Sequence, residues 1–348
     1  MSKVSDLHIV ENKPLPTPDE LCSQIDPGDK AADFLADSRK QLADIIFGDD
    51  ERMIVVVGPC SIHDPKLGLD YALKLAELAK EVPELYIVMR SYFEKPRTTV
   101  GWKGLIMDPQ MDGSADIHTG LQVSRKFLCD LIAMGLPTAT ELLDPITPQY
   151  IADLISWSAI GARTSESQTH RQMASGLSMP LGFKNSTPGA LTPAINGIKA
   201  AQQPQTFLGV NKEGKASSVS TKGNPHCHVI LRGGDSGPNY RAEEVEQTQG
   251  LLKKHDLPER VMIDCSHANC GKKHTQMPAV FRDVIGQRRD GNAAIIGCML
   301  ESNLGAGNQK LGDDPNDLEY GISITDECID WDTTAELLRW ANEELAGG

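Results

Sequence analysis

The sequence predicts an α/β fold: a (β/α)₈ TIM barrel with an N-terminal extension and an inserted β-hairpin. Three observations carry that expectation. Eight short apolar runs of strand length follow residue 50. Most are separated by stretches with apolar residues at helical spacing, the alternation that a parallel sheet requires. A polar, mostly charged side chain stands at, or within a few residues after, the C-terminal end of each run: Cys60, Arg90, Glu141, Arg163, Lys184, Arg232, Asp264 with His267, and Glu301. Barrels of this kind place their chemistry at that end of the strands.

Residues 1–50 precede the first run. They read as a polar arm holding Leu7, Ile9 and Val10, then Pro14, Pro16 and Pro18, then a helix over Lys30–Phe47 that stops near Gly48. This extension is too small for a domain and is expected to lie on the barrel or on a neighbouring subunit. Residues 51–348 form the catalytic barrel. Its strands are expected at Met53–Gly58, Leu85–Arg90, Pro137–Glu141, Ala159–Arg163, Leu181–Lys184, His228–Arg232, Val261–Asp264 and Ala294–Met299. Helical spacing marks Leu67–Val82 and Gly120–Gly135, the second closed by a helix-ending glycine. Further helices are expected in Glu166–Ser178, Arg241–His255, Met277–Gly291 and Thr333–Gly348. Two segments exceed a plain barrel. Ser91–Thr119 is a long loop after the second strand, and long structured loops are usually functional. Thr206–Lys222 has two short runs around Lys-Glu-Gly-Lys and reads as a hairpin before the sixth strand.

Composition narrows the function class. The chain is 40% apolar and 24% charged, ordinary for a globular protein. Its formal net charge of −14 weighs against nucleic acid and anionic membranes as partners. No apolar stretch approaches the ~20 residues of a membrane span. The N-terminus lacks the apolar region of a signal peptide, so a cytoplasmic location is expected. Eight cysteines in such a chain are not expected to form a disulfide framework. Most read as small core hydrophobes.

Cys60 is the exception. Gly58 and Pro59 force a turn that leaves it at the barrel mouth. His267, Glu301 and Asp326 end or follow the last two strands. One sulfur, one nitrogen and two oxygen donors suit a borderline divalent cation, open between Mn²⁺, Fe²⁺, Co²⁺ and Zn²⁺. His226–Cys227–His228 imitates a metal motif, but side chains alternate along a strand, so its members face opposite ways. The run Met89–Gly104 carries Arg90, Lys95, Arg97 and Lys103 among Tyr92, Phe93 and Trp102. With Arg163, Lys184 and Arg232 at the same mouth, so many cations make sense around phosphate or carboxylate groups. A ligand with two phosphates, or two phosphorylated ligands, would fit.

The blocks GPCSIHD, MRSYFEKPRTTVGWKGL, SWSAIGARTSESQTHR, GFKN, GNPHCHVILRGG, IDCSH, ESNLGAGNQ and YGISITD stand in order. In them the chain resembles, over essentially its whole length, the class I 3-deoxy-D-arabino-heptulosonate 7-phosphate (DAHP) synthases. The resemblance implies a metal-dependent, aldol-type condensation of phosphoenolpyruvate with D-erythrose 4-phosphate that releases phosphate and opens the shikimate pathway. It implies Cys60, His267, Glu301 and Asp326 as metal ligands, with Mn²⁺ first among the candidate ions. Arg90, Lys95, Glu141, Ala162, Arg163, Lys184 and Arg232 would hold phosphoenolpyruvate. Arg97 and Thr98 would hold the erythrose 4-phosphate phosphate, and Lys95 would lie between the substrates as proton donor.

Family members are usually inhibited by one aromatic amino acid. The matching effector positions are Asp6, Leu7, Ile9, Pro148, Gln149, Leu177, Ser178, Phe207, Gly209 and Val219. Glycine at position 209 goes with tyrosine rather than phenylalanine, because it leaves room for the phenol hydroxyl. The resemblance also implies a homo-oligomer, dimer or tetramer, with the arm reaching a neighbour. Ser186 and Pro188 depart from the family's usual Gly and Asp after Lys184, and the segment 312–319 is variable. Cys328, two residues beyond Asp326, is expected to approach Cys60. Two other readings are a sister synthase that takes arabinose 5-phosphate and a non-catalytic effector-binding subunit.

Overall fold

The computed structural model describes residues 4–97 and 101–347. The chain opens with helices α1 (Pro18–Gln24) and α2 (Asp29–Phe47), then strand β1 (Met53–Gly58). The alternation runs α3 (Pro65–Glu81), β2 (Leu85–Arg90), α4 (Ile117–Ala133), β3 (Thr138–Glu141), α5 (Pro148–Ile151), β4 (Trp157–Ile160), α6 (Gln168–Ser175), β5 (Leu181–Lys184) and α7 (Thr192–Ala201). The hairpin β6 (Thr206–Val210) and β7 (Ala216–Ser220) follows. The chain ends with β8 (Cys227–Leu231), α8 (Ala242–Lys254), β9 (Val261–Asp264), α9 (Met277–Arg289), β10 (Ile295–Glu301) and α10 (Trp331–Ala346). Eight parallel strands close in the order β1-β10-β9-β8-β5-β4-β3-β2, while β6 and β7 pair antiparallel outside the barrel. The predicted barrel and hairpin are therefore present.

Side-chain parity along the strands places the site. In β1, Met53, Val55 and Val57 belong to the core shared with the helices, whereas Ile54 and Val56 belong to the barrel interior. The same alternation puts Tyr86 and Val88 of β2, Ile230 of β8 and Met262 of β9 inside. Leu42, Ile45 and Ile46 of α2 join that interior cluster and plug one end. The last inward position of successive strands then falls on Arg90, Glu141, Lys184, Asp264 and Glu301, with Arg232 just beyond β8. A ring of charge caps an apolar barrel filling.

The extension is tied to the barrel and to the hairpin. Thr17 and Glu20 form a reciprocal capping box at α1, worth about 1 kcal/mol. Asp19 N donates to Lys212 O in the hairpin turn (3.0 Å), and Tyr150 Oη donates to Pro16 O (2.8 Å). Leu21 and Leu35 enter the main core.

Three sequence expectations are corrected. The fourth strand is Trp157–Ile160, not Ala159–Arg163. Buried Ser156 and Ser158 hid its start, and a turn in which Thr164 and Ser165 donate to Gly161 O ends it before Arg163. The last strand runs on to Glu301, so that carboxylate is held by the β1–β10 ladder rather than by a loop. Helices α1, α5 and α7 were not anticipated. In α7 the buried face of Ala194, Ile195, Ile198 and Ala201 carries only small and isolated apolar residues.

Candidate active site

Gly58 ends β1 with φ +149°, a conformation that favours glycine, and a Cβ there would stand 3.0 Å from Arg90 O. Cys60 is thereby turned into the barrel mouth and is fully buried. Its Sγ and carboxylate oxygens of Glu301 and Asp326 lie within 4.8 Å of one another. His267 Nε2 approaches from the loop after β9, 3.9 Å from Glu301 Oε1. His267 has φ +55°, an uncommon backbone for a non-glycine residue that costs roughly 1–3 kcal/mol. Such strain persists where the surroundings fix it, and here Lys272 N donates to His267 O at 2.7 Å. Asp326 sits on the excursion after β10, pinned by bridges of Ser302 to Ile329 and of Gly307 to Cys328. Sulfur and two carboxylates lie together, with the His267 imidazole outside that group of three but next to Glu301, and such donors fit a borderline divalent cation. The mimic around His228 does not: its Nε2 accepts from Trp157 Nε1 at 3.0 Å inside the barrel.

Burial and then the Glu301 carboxylate push the Cys60 thiol up to about 11. The crowded mouth would raise Asp326, but Lys95 and His267 outweigh that and hold it near 2. Lys95 Nζ donates to Cys60 Sγ at 3.0 Å and lies 3.8 Å from Asp326 Oδ2.

Arg90 and Glu301 form a buried ion pair at 2.8 Å, with side chains 1% and 2% exposed. Breaking such a pair costs about 3–5 kcal/mol, because one charge is left uncompensated. Arg90 also donates to the Pro59 and Cys60 carbonyls and lies 3.6 Å from the Tyr92 ring centroid. Its Nη1 is buried with no hydrogen-bond partner among the described residues, a donor that an anion would satisfy. Lys184 Nζ lies 3.0 Å from Asp264 Oδ2 and 3.9 Å from Glu141 Oε2. Gly161 permits Glu141 its place, since a Cβ there would sit 2.2 Å from Glu141 Oε1.

One cavity of about 310 Å³ collects nearly all of the predicted substrate residues. Arg90, Lys95, Arg97, Glu141, Ala162, Arg163, Lys184 and Arg232 all line it. Arg97 is held by its Nε bond to Trp102 O at 2.7 Å. Thr98 lies outside the described residues. The unusual Ser186 closes a turn of its own: Ala190 N donates to Ser186 Oγ, and Ser186 N to Ala190 O. Pro188 sits inside that turn, and Lys184 still faces the cavity.

A second cavity, about 620 Å³, lies between the hairpin, α5 and α6. Pro148, Gln149, Leu177, Phe207, Gly209 and Val219 line it. Ser178 and the arm residues Asp6, Leu7 and Ile9 do not. The arm is exposed, Leu7 63% and Ile9 54%, and in the single chain it does not line this cavity.

Two residues were missed as functional parts. Asp264 was placed at a strand end without a role, yet it is wholly buried between Lys184 and His267 Nδ1 (2.9 Å). Glu94 accepts from Leu143 N, Asp144 N and Thr147 Oγ1, tying the Lys95 loop to the loop that borders the second cavity. Burial, then Asp144, pushes its carboxyl up to about 8. The only signal for either was its position inside the charged blocks after β2 and β9.

The sequence profile of the DAHP synthetase I family matches residues 27–339. The chain is 52% identical over 345 residues to the tyrosine-sensitive phospho-2-dehydro-3-deoxyheptonate aldolase of Escherichia coli K12, covering 99% of this chain and 97% of that protein. It is 52% identical over 335 residues to the phenylalanine-sensitive enzyme of the same organism, covering 96% and 95%. A solved phospho-2-dehydro-3-deoxyheptonate aldolase from Francisella tularensis superposes with a TM-score of 0.94 at 48% identity, covering 97% of this chain and 98% of that one.

Proposed function

The chain belongs to the DAHP synthetase I family, and from that premise we propose how its barrel mouth divides the work. The enzyme condenses phosphoenolpyruvate with D-erythrose 4-phosphate, giving DAHP and phosphate in the first step of the shikimate pathway. An aromatic amino acid inhibits it by feedback. The observation that carries the assignment of residues is one cavity in which a ring of guanidinium and ammonium groups faces a thiol–carboxylate cluster.

Arg90, Arg163, Lys184 and Arg232 hold the phosphate and carboxylate of phosphoenolpyruvate. Arg97, with Thr98, holds the phosphate of the aldose. These cations offset the repulsion between two anions and fix the methylene carbon against the aldehyde carbon. Cys60, His267, Glu301 and Asp326 hold one divalent ion, Mn²⁺ first among Mn²⁺, Fe²⁺, Co²⁺ and Zn²⁺. When bound, it supplies Lewis-acid polarisation of the aldehyde oxygen. Carbon–carbon bond formation uses the electron pair of the enol double bond, and Lys95 Nζ protonates the new alkoxide. Water adds at the electron-poor enol carbon, and the resulting phosphohemiketal loses phosphate.

The second cavity is the effector site and takes tyrosine. A Cβ at Gly209 would meet Val219 Cγ2 at 2.8 Å, so a side chain there takes space from the ligand. Gly209→Ser is expected to weaken inhibition by tyrosine about tenfold relative to phenylalanine. Inhibition curves for both amino acids check it, and an unchanged ratio removes Gly209 from the specificity site. The exposed arm side chains Val4, Leu7, Ile9 and Val10 support an arm that lies on a neighbouring subunit, in a dimer or tetramer. Residues 1–50 are thus a regulatory and assembly extension. Among the described residues no helix is long and apolar enough to cross a membrane; a cytoplasmic location is part of this reading.

The deciding assay is phosphate release from phosphoenolpyruvate with erythrose 4-phosphate or arabinose 5-phosphate. It is run in chelator, then with Mn²⁺ restored, with and without tyrosine. Release with erythrose 4-phosphate alone, restored by metal and lost with tyrosine, is expected. Release with arabinose 5-phosphate would point to the sister synthase. Metal binding without release from either sugar would point to a non-catalytic subunit.

A further inference from the structure

Two cavities meet at the thiol–carboxylate cluster. The substrate-side cavity opens past Arg90, Lys95, Arg97, Arg163, Lys184 and Arg232. A smaller one, about 230 Å³, reaches the cluster from the side, between the loops after β9 and β10. His267, Asp326 and Lys272 line both, so the cluster is their common wall. The side cavity is acidic on balance: Glu301, Asp326 and Glu327 face it against the single ammonium of Lys272, with Asn308 and the sulfur side chains of Cys270 and Met277. At its rim Glu327 Oε2 accepts from His274 N at 3.0 Å and lies 2.6 Å from His274 Nδ1. The two side chains are 35% and 25% exposed, so the pair stands between solvent and the cavity.

The two mouths carry opposite charge. A divalent cation coming through the substrate side meets seven guanidinium and ammonium groups, Lys272 among them, against the four carboxylates of Glu94, Glu141, Asp235 and Asp326. Through the side cavity it meets carboxylates, whose field gathers cations and speeds association. The substrate side is also the one that two bulky anions fill during turnover.

We propose that the side cavity is the route by which the divalent cation reaches and leaves the cluster, with the Glu327–His274 pair as its outer post. The inference rests on the reading of Cys60, His267, Glu301 and Asp326 as the metal-binding set. Glu327 draws the ion to the rim. Lys273, exposed and electrostatically coupled to Glu327, opposes it.

The test follows Mn²⁺ uptake by metal-free, full-length enzyme through loss of the free-ion electron paramagnetic resonance signal. Equilibrium titrations run alongside. Glu327→Gln is expected to slow uptake about threefold or more, and Lys273→Glu to quicken it about twofold or more, each by more than its effect on the equilibrium constant. Saturating phosphoenolpyruvate is expected to leave uptake unslowed. Uptake indifferent to both substitutions, or uptake stopped by phosphoenolpyruvate, overturns the route while leaving the ligand set intact. No Mn²⁺ bound at equilibrium by the unaltered enzyme overturns the ligand set, and the route with it.

Discussion

Lys95→Met is expected to lower kcat by about 10²–10⁴-fold while Mn²⁺ affinity is kept or improved. The ammonium lies 3.0 Å from Cys60 Sγ and 3.8 Å from Asp326 Oδ2, so it competes for the donors proposed to hold the metal. Removing it leaves those donors freer. Burial alone would lower the Lys95 pKa, but Cys60, Asp326 and Glu301 outweigh that and raise it above the ordinary lysine value. The group is therefore charged at neutral pH. Were Asp326 to turn its charge to a bound cation, the upward pull would weaken and the ammonium would become a better donor to a nascent alkoxide. Lys95→Arg separates proton donation from charge. Arginine keeps the cation but does not release its proton. If Lys95 protonates the alkoxide, the arginine variant stays as impaired as the methionine variant. Near-normal kcat in the arginine variant would reduce Lys95 to an electrostatic role.

Asp264→Asn is expected to weaken Mn²⁺ binding about 10–100-fold and to raise KM for phosphoenolpyruvate. Asp264 touches two parts of the site at once. Its Oδ2 lies 2.9 Å from His267 Nδ1, a short charge contact beside the ring whose Nε2 lies 3.9 Å from Glu301 Oε1. The same oxygen lies 3.0 Å from Lys184 Nζ, whose other carboxylate neighbour, Glu141, is 3.9 Å away. An amide removes the negative charge beside the His267 ring and leaves Lys184 buried with less compensation. Metal titration and phosphoenolpyruvate kinetics on the same preparation check both effects; unchanged Mn²⁺ affinity would remove Asp264 from the positioning role. Stability carries a further signature. Burial would raise the Asp264 pKa, but His267 and Lys184 hold it well below the usual value. Its charged form therefore stabilises the fold above the unfolded pKa of about 3.9, and that contribution is lost as pH falls through the lower folded value. The stability gap between the two proteins should close on acidification.

Much of this molecule can be read before folding it. Strands such as Met53–Gly58, Leu85–Arg90, Leu181–Lys184 and Val261–Asp264 are bounded as their apolar runs indicate. The reason is that both faces of a barrel strand are buried, so the signal is continuous. The charged residues that end them are legible for a related reason: an ionised side chain at the edge of an apolar run has few tolerable places except a ligand-facing one. Legibility failed where buried positions hold small or hydroxyl-bearing side chains instead of large apolar ones. Ser156 just before the fourth strand and Ser158 within it are buried hydroxyls that read as loop, and α7 buries mostly small residues.

Three matters were decided only by tertiary structure. The pairing of Asp264 with both Lys184 and His267 depends on β5 and β9 standing either side of β8. The lock of Glu94 onto the loop after β3 depends on backbone donors, which no side-chain pattern announces. The acidic side cavity depends on how the long excursions after β9 and β10 fold over each other. Sequence by itself determined the barrel, the family and most of the residues at its mouth, because burial and charge are written one residue at a time. Distances, partners and the sign of the field in each cavity are properties of pairs far apart in the chain, and only the closed barrel sets them.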